Sequence, residues 1–95
     1  MLKELDPILH AELRLAIVSV LLTVIEADFN FIKDSTGATS GNLSIQLDKL
    51  EKAGYIVIRK EFVGKRPRTV CSITEKGREA FDQYVVTLKE YLHLK

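Results

Sequence analysis

Apolar residues recur along this chain in two rhythms, and the change from one to the other divides it into elements. Ile8, Leu9, Leu13, Ala16 and Ile17 fall at helical spacing, and from Leu15 to Ile25 apolar residues cover nearly every side. Asp6-Pro7 ahead of them is a helix start, because Asp can cap and Pro at the first helical position gives up no hydrogen bond. The pattern predicts a long first helix from there to about Ile25, whose later half needs apolar cover all round. A shorter second helix is predicted from Asp28 as cap to about Ser35, with Phe29 and Ile32 inward and Gly37 ending it in the left-handed conformation. Thr39 then caps a third helix in which Leu43, Leu47 and Leu50, spaced four and three apart, form one buried stripe that Ala53-Gly54 closes. Two short helices across a tight Gly-containing turn are a helix-turn-helix signature.

Past Gly54 the period shortens to two. Residues 55–62, YIVIRKEF, are rich in β-branched and aromatic types, with Ile56, Ile58 and Phe62 on one face, and predict a strand. VGKRPR (63–68) must turn, and Thr69 to Ile73 returns with Cys71 and Ile73 alternating against Val70 and Ser72. Thr74, Glu75 and Lys76-Gly77 start a last helix that runs to the end of the chain. Its stripe of Phe81, Tyr84, Val85, Leu88, Tyr91 and Leu92 recurs at three and four over about 20 residues, or roughly 30 Å. The order helix, helix, helix, hairpin, helix makes one mainly α domain over residues 1–95 with a small β-hairpin, and no repeat, linker or low-complexity segment divides it.

Composition sharpens this picture in three places. At 46% apolar and 28% charged, the chain is a folding sequence rather than a disordered one. A chain of 95 residues builds one core and buries only about two thirds of its unfolded surface, so cover from a second copy is a natural source of stability. The run LAIVSVLLTVI (15–25) falls short of the about 20 apolar residues a membrane span needs and carries no cleavage site, so it predicts a buried helix and no membrane partner. Cys71 stands alone and forms no internal disulfide, which favours a cytoplasmic setting.

Net charge is only +1, but it is unevenly placed. Residues 1–34 hold three basic and six acidic groups, whereas residues 59–68 hold Arg59, Lys60, Lys65, Arg66 and Arg68 against Glu61 alone, five minus one, or plus 4. Three of those cations, Lys65, Arg66 and Arg68, crowd a hairpin tip stiffened by Pro67, an arrangement suited to phosphates. On the third helix Asn42, Gln46 and Lys49 face away from the leucine stripe. Amides that donate and accept at once match the N6 and N7 edge of adenine, and Lys can reach phosphate or guanine. Gly41, in the first turn, either admits a phosphate close to the free backbone amides or simply suits helix packing.

Other chemistries find no residues to rest on. His10, His93 and Cys71 match no zinc spacing and are expected to be surface or interface histidines and a core cysteine, with no metal site. TGATSG (36–41) lacks the Lys of a P-loop, so no nucleotide cofactor is implied. No nucleophile with its base, carboxylate pair or metal triad stands out, which argues against an enzyme.

Three stretches together, TSGNLSIQLDKLEKAGYI (39–56), KEFVGKRPRT (60–69) and the Ile73-Thr74-Glu75-Lys76-Gly77 junction, resemble the winged helix-turn-helix transcriptional regulators of the MarR and ArsR type, most closely their minimal one-domain members. The resemblance implies a third helix that enters the major groove of double-stranded DNA with Thr39, Ser40, Asn42, Ile45, Gln46 and Lys49 facing it. It implies a hairpin wing along the flanking backbone or minor groove, and terminal helices that form a homodimer. By position, the interface would hold Leu15, Val18 and Leu22 of the first helix with Phe81, Tyr84, Val85, Leu88, Tyr91 and Leu92 of the last. The sequence departs from the family in carrying Ile45 where Arg is frequent, and Ser35 and Thr36 where apolar residues are frequent. A winged helix can also serve as a protein-docking module, but such a module has no use for a basic wing. No residue names an effector, and one would have to bind at the dimer interface or not at all.

Overall fold

The computed structural model describes residues 1–93. It contains, in order, α1 (Glu12–Leu21), β1 (Ala27–Asp28), α2 (Phe29–Thr36), α3 (Ser40–Lys52), β2 (Ile56–Val63), β3 (Arg66–Ile73) and α4 (Glu75–Leu92). The first helix is much shorter than its pattern predicts. Asp6 does cap, its Oδ1 accepting from the amides of Ile8 at 2.8 Å and Leu9 at 3.3 Å, but it closes a single turn that does not continue. Ala11 is extended at φ −150°, and α1 begins only after it. At the other end α1 stops at Leu21 because Ala27 and Asp28 pair with Cys71 and Val70, a short third strand that the sequence pattern did not reveal. Ile25, predicted as the end of a buried helix, lies outside α1 and is 93% exposed.

The remaining helices start and stop where local chemistry dictates. Asp28 Oδ1 accepts from the Phe31 amide at 2.8 Å, and Gly37 ends α2 at φ 72°. Thr39 Oγ1 accepts from the Asn42 amide at 3.2 Å to begin α3. Thr74 Oγ1 accepts from the Gly77 amide at 3.0 Å to begin α4 and also donates to the Gly54 carbonyl at 2.7 Å, which ties the end of α3 to the start of α4. Gly77 is required by space: a Cβ there would sit 2.3 Å from the Tyr55 carbonyl oxygen.

Leu9, Ile17, Val18, Leu21, Ile32, Leu43 and Leu50 are fully buried, so α1, α2 and α3 close one core over the sheet with Ile56 and Cys71 beneath. The sheet is antiparallel in the order β1-β3-β2, and Val70 is buried as well as Cys71 because β3 lies in its centre. The hairpin is tighter than predicted, since only Gly64 and Lys65 turn and Val63 already faces Arg66. Gly64 has φ 65° and, among the described residues, no residue other than glycine has positive φ, the pattern of a two-residue II′ turn. Pro67 therefore lies inside β3, opposite Phe62. Counting outward from the turn, that is a non-hydrogen-bonded position, where a missing N–H costs no ladder bond. Phe62, on the same face of the strand as the buried Ile56, is 73% exposed, because the hairpin has already left the body by that point.

Candidate nucleic-acid interface

The solvent side of α3 carries Ser40, Asn42, Ile45 and Lys49, all exposed, with Thr39 exposed at its cap. Ile45, at 56% exposure, is an apolar group left largely open to solvent. Gly41 in the first turn is exposed, and a Cβ there would meet nothing within 4 Å, so packing does not demand a glycine. Gln46 is different: it is half-buried and held. Arg14 Nη1 donates to its Oε1 at 2.6 Å, and its own Nε2 donates to Asn42 Oδ1 at 3.1 Å. The adenine contact expected of Gln46 needs its oxygen turned to the groove, and here Arg14 holds that oxygen toward α1. Arg14 was not a sequence candidate; the one available sign was a lone cation within an apolar first helix.

The wing divides its cations into two sets. Arg59 pairs with Glu26 at 3.0 Å and Glu61 at 2.8 Å, and Arg68 with Glu61 at 3.5 Å and Asp28 at 3.6 Å. The hydrogen bond from Arg59 holds the Glu61 carboxyl below the usual carboxylate range. Arg68, predicted as a phosphate-binding residue of the tip, therefore anchors the root of the hairpin to the segment before α2. Lys60, Lys65 and Arg66 are exposed, and among the described residues no carboxylate lies within 4 Å of any of them.

The chain matches the family model described as "Winged helix DNA-binding domain" over residues 13–92. It belongs to the winged-helix DNA-binding domain family. An uncharacterized protein of Methanocaldococcus jannaschii, MJ0432, is 35% identical over 78 residues, 82% of this chain and 85% of that one. A transcriptional regulator homologue from Pyrococcus horikoshii OT3 superposes with a TM-score of 0.80 at 34% identity, over 92% of this chain and 89% of that one. A regulator assigned to the MarR family, from Enterococcus faecalis V583, has the same fold, with a TM-score of 0.73 at 19% identity over 88% of this chain and 74% of that one. The winged-helix architecture and its likeness to MarR-family regulators, expected from three sequence stretches, are thus shown.

The remaining surface of this winged-helix domain lies on its terminal segments. Val18 and Tyr84, expected at a dimer interface, are buried in the chain's own core at 0% and 5% exposure. Leu15, Leu22, Phe81 and Leu88 are partly buried against that same core, and Val85 is half-buried. Tyr91 and Leu92 are exposed, together with Val86, which the stripe had not included. Residues 1–11 lie against α4 and Tyr55. The Tyr91 hydroxyl donates to the Lys3 carbonyl at 2.8 Å, His10 Nδ1 shares a 2.9 Å hydrogen bond with the Tyr84 hydroxyl, and the Tyr55 hydroxyl donates to Asp6 Oδ2. Burial and that carboxylate push the Tyr55 hydroxyl up to about 12. Cys71 is buried, which pushes its thiol up to about 11. His10, His93 and Cys71 stay apart, and among the described residues no three His, Cys, Asp or Glu side chains assemble a metal site. Among them no helix is long and apolar enough to cross a membrane.

Proposed function

We propose that this winged-helix domain is a sequence-specific, double-stranded DNA-binding transcriptional regulator that acts as a homodimer in the cytoplasm and is not an enzyme. The observation that carries the reading is the set of uncommitted cations at the wing, Lys60, Lys65 and Arg66, beside the exposed outer face of α3. Thr39, Ser40, Asn42, Ile45, Gln46 and Lys49 are the groove-side residues, and the wing supplies phosphate contacts that fix register without reading sequence. Dimerisation uses the exposed Val86, Tyr91 and Leu92 with the half-buried Val85 and Leu88. Two linked readers then address two half-sites.

A titration with random duplex DNA at several salt concentrations tests this. If each wing neutralises about three phosphates, a dimer neutralises about six, and log K falls with log salt at a slope of roughly −5. Salt-independent binding, or none, would overturn the reading. The exposed Phe62 and Val63 favour the second reading, a protein-docking wing, and that alternative gains if duplex binding is absent.

A further inference from the structure

Arg14 stands behind the recognition helix and holds one of its side chains by the oxygen. Its Nε donates to the Ile8 carbonyl at 2.6 Å and its Nη2 to the Pro7 carbonyl at 3.3 Å, so the guanidinium is fixed to the segment before α1. Its Nη1 donates to Gln46 at 2.6 Å. A guanidinium has donors only, so the Gln46 atom that faces it must be the oxygen. Gln46 then turns its nitrogen toward Asn42, and the Asn42 atom that receives it must again be the oxygen. The three side chains form a one-way relay. Both amide oxygens already accept a bond, and of the four amide hydrogens one is used between the two residues, which leaves three.

We infer that Arg14 is a positioning residue for specificity: it fixes the polarity of the Gln46–Asn42 pair, so that α3 offers donors and selects the guanine N7 and O6 acceptors over the adenine edge. An amide that reads adenine must accept from N6 while it donates to N7; the Gln46 oxygen keeps a second lone pair, but Arg14 holds it toward α1, so presenting both groups to one adenine edge requires the amide to turn away from Arg14. Guanine presents two acceptors side by side, which suits leftover N–H groups. Arg14 itself touches no base. The inference rests on the DNA-binding reading above, and its test separates the two.

Bound sites are selected from a random duplex library with the wild type, Arg14→Met and Gln46→Glu, and each selected guanine is then replaced by 7-deazaguanine, which lacks the N7 acceptor. The wild type is expected to select guanine in its half-site and to lose about fivefold or more in affinity on 7-deazaguanine. Arg14→Met releases the Gln46 oxygen and is expected to move the preferred base to adenine, with the salt slope unchanged. Because Arg14 also holds the Pro7 and Ile8 carbonyls, that variant can lose stability. Gln46→Glu guards against this, since a carboxylate still accepts from Arg14 while the Gln46 amide hydrogens are gone. It is expected to melt like the wild type and to lose the guanine preference. A wild-type site with adenine in that place, or indifference to 7-deazaguanine, or an unchanged base preference in both variants, would overturn the inference while salt-dependent binding left the broader function standing. Absence of any salt-dependent duplex binding would overturn both.

Discussion

A methyl group placed on Gly41 would meet no atom of the chain, yet glycine in a helix is less stable than alanine by about 0.5–1 kcal/mol. Gly41→Ala should therefore raise the melting temperature by a few degrees. It should also weaken binding to every duplex alike if a phosphate approaches the first turn of α3, where the methyl would stand between it and the amides. Calorimetry and a titration on one preparation decide this; a more stable and equally tight variant would show that the first turn stays clear of DNA. Tyr55 makes a second residue-scale prediction. Burial and the Asp6 carboxylate push its hydroxyl up to about 12 in the folded chain from the ordinary tyrosine value near 10, so its contribution is fully present below pH 10 and is lost as pH rises toward 12. Melting temperatures from pH 9 to 12 should fall over that window, and Tyr55→Phe should flatten the decline; a parallel decline in the variant would assign the effect elsewhere. Residue-level features of this kind were legible in the sequence where the partner is near. Asp28, Thr39 and Thr74 cap amides three positions ahead, and Gly37 and Gly54 end helices at φ 72° and 81°. Arg14 was not legible as part of the site, because the residue it holds lies 32 positions away and only the packing of α1 on α3 brings them together.

At the scale of the element, the hairpin shows what a two-residue period can and cannot say. Alternation places Ile56, Ile58, Lys60 and Phe62 on one face, and the register confirms their partners as Ile73, Cys71, Thr69 and Pro67. It holds no information about where the body ends beneath that face, so Ile56 is 2% exposed and Phe62 73%. Charge counting has the same blindness. Five cations lie in residues 59–68, but Arg59 and Arg68 are held by Glu26, Glu61 and Asp28, and only the acidic residues in space, two of them far back in the chain, could reveal it. Lys65→Ala with Arg66→Ala should remove about four phosphate contacts from a dimer and reduce the salt slope by roughly 3 to 4. Arg68→Ala should leave the slope nearly as it was and cost stability on the order of 0–1 kcal/mol, the worth of an exposed ion pair. Titrations of both variants across salt concentration make the comparison, and an equal drop in slope would mean that Arg68 leaves its carboxylates for DNA.

The whole molecule measures 56 × 25 × 21 Å, longer than a 95-residue sphere, with α4 and residues 1–11 joined along one side. Apart from the short strand β1, the element order, the helix-turn-helix and the wing were legible, since each follows from local periodicity and punctuation. The role of residues 1–11 was not, because a mixed polar and apolar lead-in carries no pattern that says it will lie on α4. That segment changes which residues are available to a second copy. A charge at Leu88 or Tyr84 would damage the protomer itself, whereas Val86 is 51% exposed and can be changed without touching the core. Sedimentation equilibrium of the wild type at micromolar concentration is expected to give twice 10.7 kDa. Val86→Asp with Leu92→Asp should give one protomer mass with an unchanged circular dichroism spectrum and a loss of specific over random binding. A wild type that sediments as a monomer would leave the exposed face of α4 without the role proposed for it.

Asp28 holds three positions at once: its backbone pairs with Val70, its Oδ1 caps α2 through the Phe31 amide, and its Oδ2 lies 3.6 Å from Arg68 Nε. Demands that meet on one side chain make its substitutions epistatic. Asn would keep the cap and lose the charge, Ala would lose both, and the consequence of either depends on whether Arg68 is still present. A double-mutant cycle over Asp28→Asn and Arg68→Ala should therefore be non-additive by a few tenths to about 1 kcal/mol. For a sequence drifting under selection, this means that the wing's root changes in concert with the start of α2, while Lys65 and Arg66 at the tip, paired with no carboxylate among the described residues, stay open to adjustment toward new DNA partners.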